Sequence, residues 1–441
     1  MSFTRALNLF ALGLIAISYQ KAFSACIPNS EPVGYRFPVV LQVPPAFFGT
    51  NVGDFEAWSF QKNQWKQIAI QVDERNSEGS YVLEHGQPFT KDTDNGFVDA
   101  NDELSILGRQ LGDLFEKAKV PFHIVKRLEK LQRLDVCVDE SYVGSVLIGA
   151  SVSTTAKVSW KPIYDHANQR VDTPAYRYDF NRTKPMLVGN VFLKSGGKEW
   201  PVFADSTFIM PIIPKIWILP GTTVDESDFQ SEIECWRSGP VRSIVAVGAK
   251  MKKFFSLVQL HLFSELVFYE DFFQIPTQIE MIFDATSFLD FGSGLAYVLR
   301  FPPGGSWKIS SNLAELPPTT KDLSRGKNQL VQTAEQVSPN GEFRAWGSRD
   351  EGSFLAQVHV DSKALGLVPP PFLVRESMFD AAPWKNGWGW LRGIKGNLGV
   401  FLDISRVRKG TYDFTLDLML SHQANDGFTD FRPVNSEWQN L

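Results

Sequence analysis

Residues 411–422 alternate apolar and polar side chains with a period of two. Tyr412, Phe414, Leu416, Leu418 and Leu420 fall on one face, and Asp413, Thr415, Asp417 and Ser421 on the other. An α-helix would scatter the five apolar residues around its circumference; a strand collects them on one side. The segment therefore predicts a half-buried antiparallel strand. The same period recurs at 38–43 (PVVLQV), 67–72 (QIAIQV), 146–152 and, after Gly239-Pro240, 243–247. Within 256–269, Val258, Leu260, Leu262, Leu266 and Phe268 oppose Gln259, His261 and Glu265. Lys409-Gly410 predicts a hairpin turn between a strand at 400–404 and the one at 411–422.

Helical spacing is scarce. Ile124, Leu128, Leu131 and Leu134 stand among Lys and Arg at near-helical intervals and predict one short amphipathic helix. Many strands with Gly- and Pro-rich turns predict an all-β fold, an antiparallel β-sandwich architecture of two β-domains with few short helices. Turns or linkers are expected at 194–198, 302–307, 316–326 and 368–372. A composition break at 164–173 divides residues 26–165, which carry an acidic Asp/Asn/Gly loop, from a larger β-sandwich domain at 166–441. Phenylalanine, 35 residues against 10 tyrosines, supplies a large apolar core with few cysteines.

Residues 1–25 read as a signal peptide. Arg5 gives the positive start, and the apolar run 6–18 is too short to span roughly 30 Å of hydrocarbon. Ala22-Phe23-Ser24 fits cleavage after Ser24. Phe23-Ser24-Ala25-Cys26 resembles a bacterial lipoprotein box, which would make Cys26 a lipid anchor; Phe23 stands where that box has an aliphatic residue. Both readings place the protein outside the cytoplasm, in the periplasm, at the outer membrane or beyond. The chain has three cysteines. If Cys26 carries lipid, Cys137 and Cys235 remain to form a disulfide, which such a compartment permits; two separate buried thiols are the other reading.

The net charge is −5, and removal of 1–25, with Arg5 and Lys21 and no acid, makes the remainder more negative. Nucleic-acid binding, which needs a basic face, is not expected. Membrane contact is expected only through an N-terminal lipid. The densest polar cluster holds Asp92, Asp94, Asn95, Asp99, Asp102 and Glu103 around Gly96. Oxygen ligands on a Gly-containing loop are the chemistry of a Ca²⁺ site, the one cofactor considered. Lys91 and Thr93 occupy positions that such a loop makes acidic, so a solvated turn is the competing reading.

Trp384, Trp388 and Trp390, with Arg392 nearby, share parity and are interleaved with Gly. They form either a platform for the C–H faces of sugar rings or one buried strand face. The six histidines show no metal-ligand spacing. His261, Tyr269 and Arg242 are the weak candidates for acid–base catalysis. Motifs for serine hydrolases, nucleotide binding and c-type haem attachment are absent.

Gln71-Val72-Asp73-Glu74-Arg75, followed by Phe97-Val98-Asp99 and Asp102-Glu103-Leu104, resembles a pattern in uncharacterised exported β-rich prokaryotic proteins. Ser238-Gly239-Pro240-Val241-Arg242, with Phe268-Tyr269, resembles the same group. There is also a distant similarity to the supersandwich proteins, which include galactose mutarotases and some polysaccharide lyases. That resemblance implies a fold class and no residue roles. The expectation is an exported, non-enzymatic envelope protein that binds a carbohydrate or a protein partner. The alternative is a carbohydrate-active enzyme, a lyase or epimerase of supersandwich type.

Overall fold

A computed structural model describes residues 37–440 apart from 88–91, 93–95, 139–140, 152–161, 213, 216–221, 252–260, 282–283, 291–292, 303–307, 312–341, 350–351, 361–371, 375–397 and 422–433. The fold is all-β: five antiparallel sheets of three, five, five, nine and five strands, with two short α-helices, Phe122–Arg127 and Ala285–Phe288, among the described residues. None of the described helices is long and apolar enough to cross a membrane.

The nine-stranded sheet is the central layer. Its strands run in the order Lys308–Ser311, Glu342–Arg349, Gly352–Val360, Gly410–Ser421, Phe272–Met281, His261–Phe268, Ser243–Met251, Phe229–Ser238 and His85–Gly86. Both faces are apolar, and successive residues feed different cores. Ile244, Ala246, Val267, Tyr269, Leu355 and Met419 pack against Phe37, Val39, Val72, Leu104 and Ile106 of the N-terminal region. Val245, Val247, Leu266, Phe268, Leu418 and Leu420 pack against Tyr176, Tyr178, Phe180 and Val191 on the other side. A strand covered on both faces reads as a continuous apolar run, which is why 244–247 carries no polar residue.

This layering qualifies the half-buried reading of 411–422. Tyr412, Phe414, Leu418 and Leu420 are buried as expected, but so are Asp417, Met419 and Ser421 on the opposite face. Asp417 is accommodated by hydrogen bonds, accepting from the Gln274 amide at 3.0 Å and lying 2.8 Å from His359 Nε2. The expected hairpin at Lys409-Gly410 does not form. Leu398–Asp403 pairs with Gly294–Arg300 and Phe372–Val374 in a separate sheet, so the chain changes layer at that point. At 194–198 the expected linker is a tight hairpin between Val188–Ser195 and Lys198–Phe203. Gly196 and Gly197 take φ of 59° and 74°, the left-handed pair that a two-residue hairpin turn demands.

The N-terminal region contributes a three-stranded sheet (Pro38–Gln42, Glu103–Leu107, Ile70–Asp73) and a five-stranded sheet (Val434–Asn440, Leu128–Val138, Ser141–Ser151, Phe55–Gln61, Gln64–Ile68). The expected helix is cut short: it ends at Arg127, and Leu128–Val138 is a strand. Leu134 and Val136 fill the N-terminal core at period two, and this packing outweighs the helical spacing of Leu131 and Leu134. The two regions exchange strands. His85–Gly86 extends the central sheet beside Trp236 and Cys235, while the C-terminal Val434–Asn440 completes the N-terminal sheet.

Candidate functional site

Two groups of side chains stand out, one on each side of the strand Phe229–Ser238. The first is a buried charge cluster centred on Arg242, the largest fully buried side chain among the described residues at 1% exposure. Arg242 directly precedes the strand Ser243–Met251 and reaches toward the N-terminal sheet. Its Nε donates to Asp73 at 2.7 Å, one terminal nitrogen to the Tyr269 hydroxyl at 3.0 Å, and the other to Glu103 at 3.0 Å. Asp73 and Glu103 are register partners on neighbouring strands, which places both carboxylates before one guanidinium. Gln71 closes the arrangement. Its side-chain oxygen accepts from the backbone N–H groups of Val241 and Arg242, each at 2.9 Å, and its amide donates to Asp73 at 2.7 Å. Gly239 is required here because a Cβ would overlap the Gln71 amide.

The periphery is charged as well. Arg75 pairs with Glu103 at 2.6 Å and lies 3.8 Å from the Tyr81 ring centroid. The Tyr81 hydroxyl donates to Glu103 at 2.7 Å, and the Tyr81 backbone N–H donates to Glu265 at 2.9 Å. Burial favours neutral carboxyls, and in Glu265 it dominates: the pKa is pushed up to about 7, only partly opposed by the Tyr81 N–H and by Arg75. In Asp73 and Glu103 burial also acts upward, but the guanidiniums outweigh it and hold both below the usual carboxylate range. Burial raises Tyr269 and sends Tyr81 well above the normal phenol value. Arg242 and Tyr269, named from sequence as catalytic candidates, are therefore in contact, inside an ion network that is buried at Arg242, Asp73 and Tyr269 and partly exposed at Arg75 and Glu103. His261 does not join them. It pairs with Lys250, eight residues from Tyr269 along one extended segment, a separation of about 26 Å at strand pitch.

The other sequence candidates fare as follows. Of the acidic loop, Asp94 and Asn95 lie outside the described residues. Asp102 accepts from the backbone N–H groups of Arg75 and Asp99, and burial raises its carboxyl to about 6; Glu103 belongs to Arg242 and Arg75. Among the described residues no group of three or more acids, histidines or cysteines is arranged to hold a metal. Trp384, Trp388, Trp390 and Arg392 lie outside the described residues, as does Cys26. The Cys137–Cys235 pairing is corrected: Cys137 is in a disulfide, whereas Cys235 is a thiol buried in the N-terminal core. Cys235 is held on the central sheet beside Gly86, so it packs as a small apolar residue.

The second group is partly exposed, with Tyr164 buried beneath the exposed His85 and His166, and sequence reading missed it. Trp236 is half-buried on the opposite face from Arg237. The His166 ring lies parallel to it, with centroids 4.1 Å apart and 11° between planes. His85, its cross-strand partner, lies 5.7 Å away, and Tyr164 meets it edge-on at 5.5 Å. The Tyr164 hydroxyl shares a 3.3 Å hydrogen bond with His166 Nδ1. Both imidazoles are exposed. Gly86, at φ 86°, lets the short strand approach, since a Cβ there would overlap the backbone of Glu234. At the margin Arg237 pairs with exposed Glu84 at 3.2 Å and with buried Asp73 at 3.5 Å, joining this patch to the charge cluster. Apart from Tyr164 and His166, two positions apart, the rings come from residues 70 to 151 positions away from one another, so no local motif announces them; the only sequence signal is the run of polar aromatics in Tyr164-Asp165-His166.

No family model matches the chain, and no curated protein matches it. Among solved structures it is similar to a protein in glycosyl hydrolase family 38 from Enterococcus faecalis, at 8% identity and a TM-score of 0.45, covering 92% of this chain and 46% of that one. An α-mannosidase from E. faecalis V583 gives 10% identity and a TM-score of 0.44, over 92% and 45% of the two chains. A protein described as a candidate aldose 1-epimerase from Escherichia coli K12 gives 9% identity and a TM-score of 0.29, over 59% and 99%. The chain thus spans less than half the length of the first two. All of these similarities are distant.

Proposed function

We propose that this is an exported, non-enzymatic binding protein that recognises a carbohydrate through the ring patch around Trp236. The observation that carries the reading is the parallel stack of exposed His166 on half-buried Trp236, flanked by exposed His85 and buried Tyr164. Flat apolar ring faces rimmed by N–H and O–H groups suit a sugar, which offers an apolar C–H face and a polar edge. Strands hold His85, Tyr164 and Trp236, and His166 follows in the turn after Ile163–Asp165, so little ordering entropy opposes binding. Retardation in gels cast with soluble polysaccharides tests this. The wild-type chain is expected to be retarded by at least one polysaccharide. Replacement of the exposed His85 and His166 by Ala is expected to abolish the retardation without altering the melting temperature. Unchanged retardation in that variant would remove the site.

Export is supported by the 1–25 leader pattern and by a disulfide at Cys137.

A second reading, acid–base chemistry on a carbohydrate, is favoured by one feature. Glu265 and Glu103 share a neighbourhood in which one carboxyl is raised to about 7 and the other is lowered. Such divergence is how one site holds an acid and a base together. Structural ion networks perturb carboxyls too, and the tight pairing of Glu103 with Arg75, Tyr81 and Arg242 favours the structural role.

A further inference from the structure

We infer that the tip formed by residues 114–126 is an interfacial docking surface for an anionic lipid bilayer. Phe122 is 79% exposed, more than any other large apolar side chain described, and Leu114 and Val125 are 44% and 41% exposed. Phe122 and Val125 stand three residues apart on the helix Phe122–Arg127, so their side chains share one outward face. The exposure is built in. Phe115, Ile124 and Leu128 are buried together with Leu147 beneath the tip, the Trp65 indole donates to the Lys119 carbonyl at 3.1 Å, and Arg133 donates to the Phe115 carbonyl at 2.8 Å. The fold thus holds apolar side chains out into water.

Charge selects the occupant. Residues 114–130 carry five basic residues and two acids, Glu116 and Glu129, in a chain of net charge −5. Arg127 is committed to Glu56, and Lys130 to Thr50 and the Phe48 carbonyl. Lys119 and Lys126 remain exposed on either side of Phe122. Apolar side chains framed by lysines suit a surface with an apolar interior beneath an anionic headgroup layer. Overall charge conceals this surface because the cations are local. It lies apart from the Trp236 patch and is independent of the carbohydrate reading.

The test is cosedimentation of the processed chain, beginning at Ala25, with phosphatidylcholine vesicles containing or lacking phosphatidylglycerol. Binding is expected only to the anionic vesicles, and it should weaken as salt shortens the Debye length. Lys119→Gln and Lys126→Gln should each lower the partition coefficient about fivefold. Phe122→Ser should lower it by about tenfold with an unchanged melting temperature. No binding to anionic vesicles at low salt, or binding that Phe122→Ser leaves intact, would overturn the inference. So would a solution dimer that Phe122→Ser dissociates, which would assign the surface to a second copy of the chain.

Discussion

Arg242 is where the two halves of the molecule meet in a single side chain. Its partner Asp73 lies 169 positions earlier in the chain, so their pairing links the N-terminal sheet to the central one. Removing one partner of a buried ion pair leaves an uncompensated charge, which is costlier than the pair is stabilising. Arg242→Met is therefore expected to lower unfolding free energy by about 3–5 kcal/mol, measured by urea denaturation. Arg242→Lys should recover part of that loss, because it keeps the charge but cannot serve three acceptors with a planar fork. Glu265 makes a pH-dependent prediction. Its folded carboxyl, at about 7, binds a proton more tightly than the ordinary value of 4.5 allows. Stability due to this group is full below about pH 4.5 and falls as pH rises through about 7. Glu265→Gln should thus be more stable than wild type at pH 8, by at most about 3 kcal/mol, and lose that advantage near pH 4.5. An equal difference at both pH values would contradict the assignment. Sequence exposed Arg242 and Tyr269 as unusual, one after a Gly-Pro turn and one ending an apolar run. It did not expose their burial, because a period-two pattern fixes the face of a residue and not what the distant chain lays over that face.

At the scale of the element, alternation located strands well and their surroundings less well. Residues 411–422 form the expected strand, yet Asp417 lies in a covered interior, which only the second layer and its partners His359 and Gln274 explain. Ile124 and Leu128 share a satellite core as helical spacing predicts, but Leu134 and Val136 answer to a different core and convert the rest to strand. The two-residue strand His85–Gly86 has too little sequence to show periodicity, although it positions one ring of the Trp236 patch. Gly86→Val would force a branched side chain into a left-handed backbone and against Glu234. The Gln87 amide, which donates to the Glu234 carbonyl, should then exchange hydrogen faster and sugar binding should weaken. Unchanged protection at Gln87 would show that the strand is not held as described.

Across the described residues, the exchanged strands His85–Gly86 and Val434–Asn440 tie the N-terminal sheets to the central sheet and to the C-terminal strand. The C-terminal Val434–Asn440 lies beside Leu128–Val138, which carries the disulfide-bonded Cys137. The all-β class was legible because it depends on many local periods. The Trp236 patch was not, because it is assembled from His85, Tyr164, His166 and Trp236 across three sheet segments. Binding without turnover is tested by incubating the processed chain with a panel of polysaccharides, following bound fraction and released product in the same samples. Binding is expected to vanish when His85 and His166 become Ala, to persist in Glu265→Gln, and to yield no product. Product released by wild type and lost in Glu265→Gln would contradict this expectation and assign the charge cluster to catalysis.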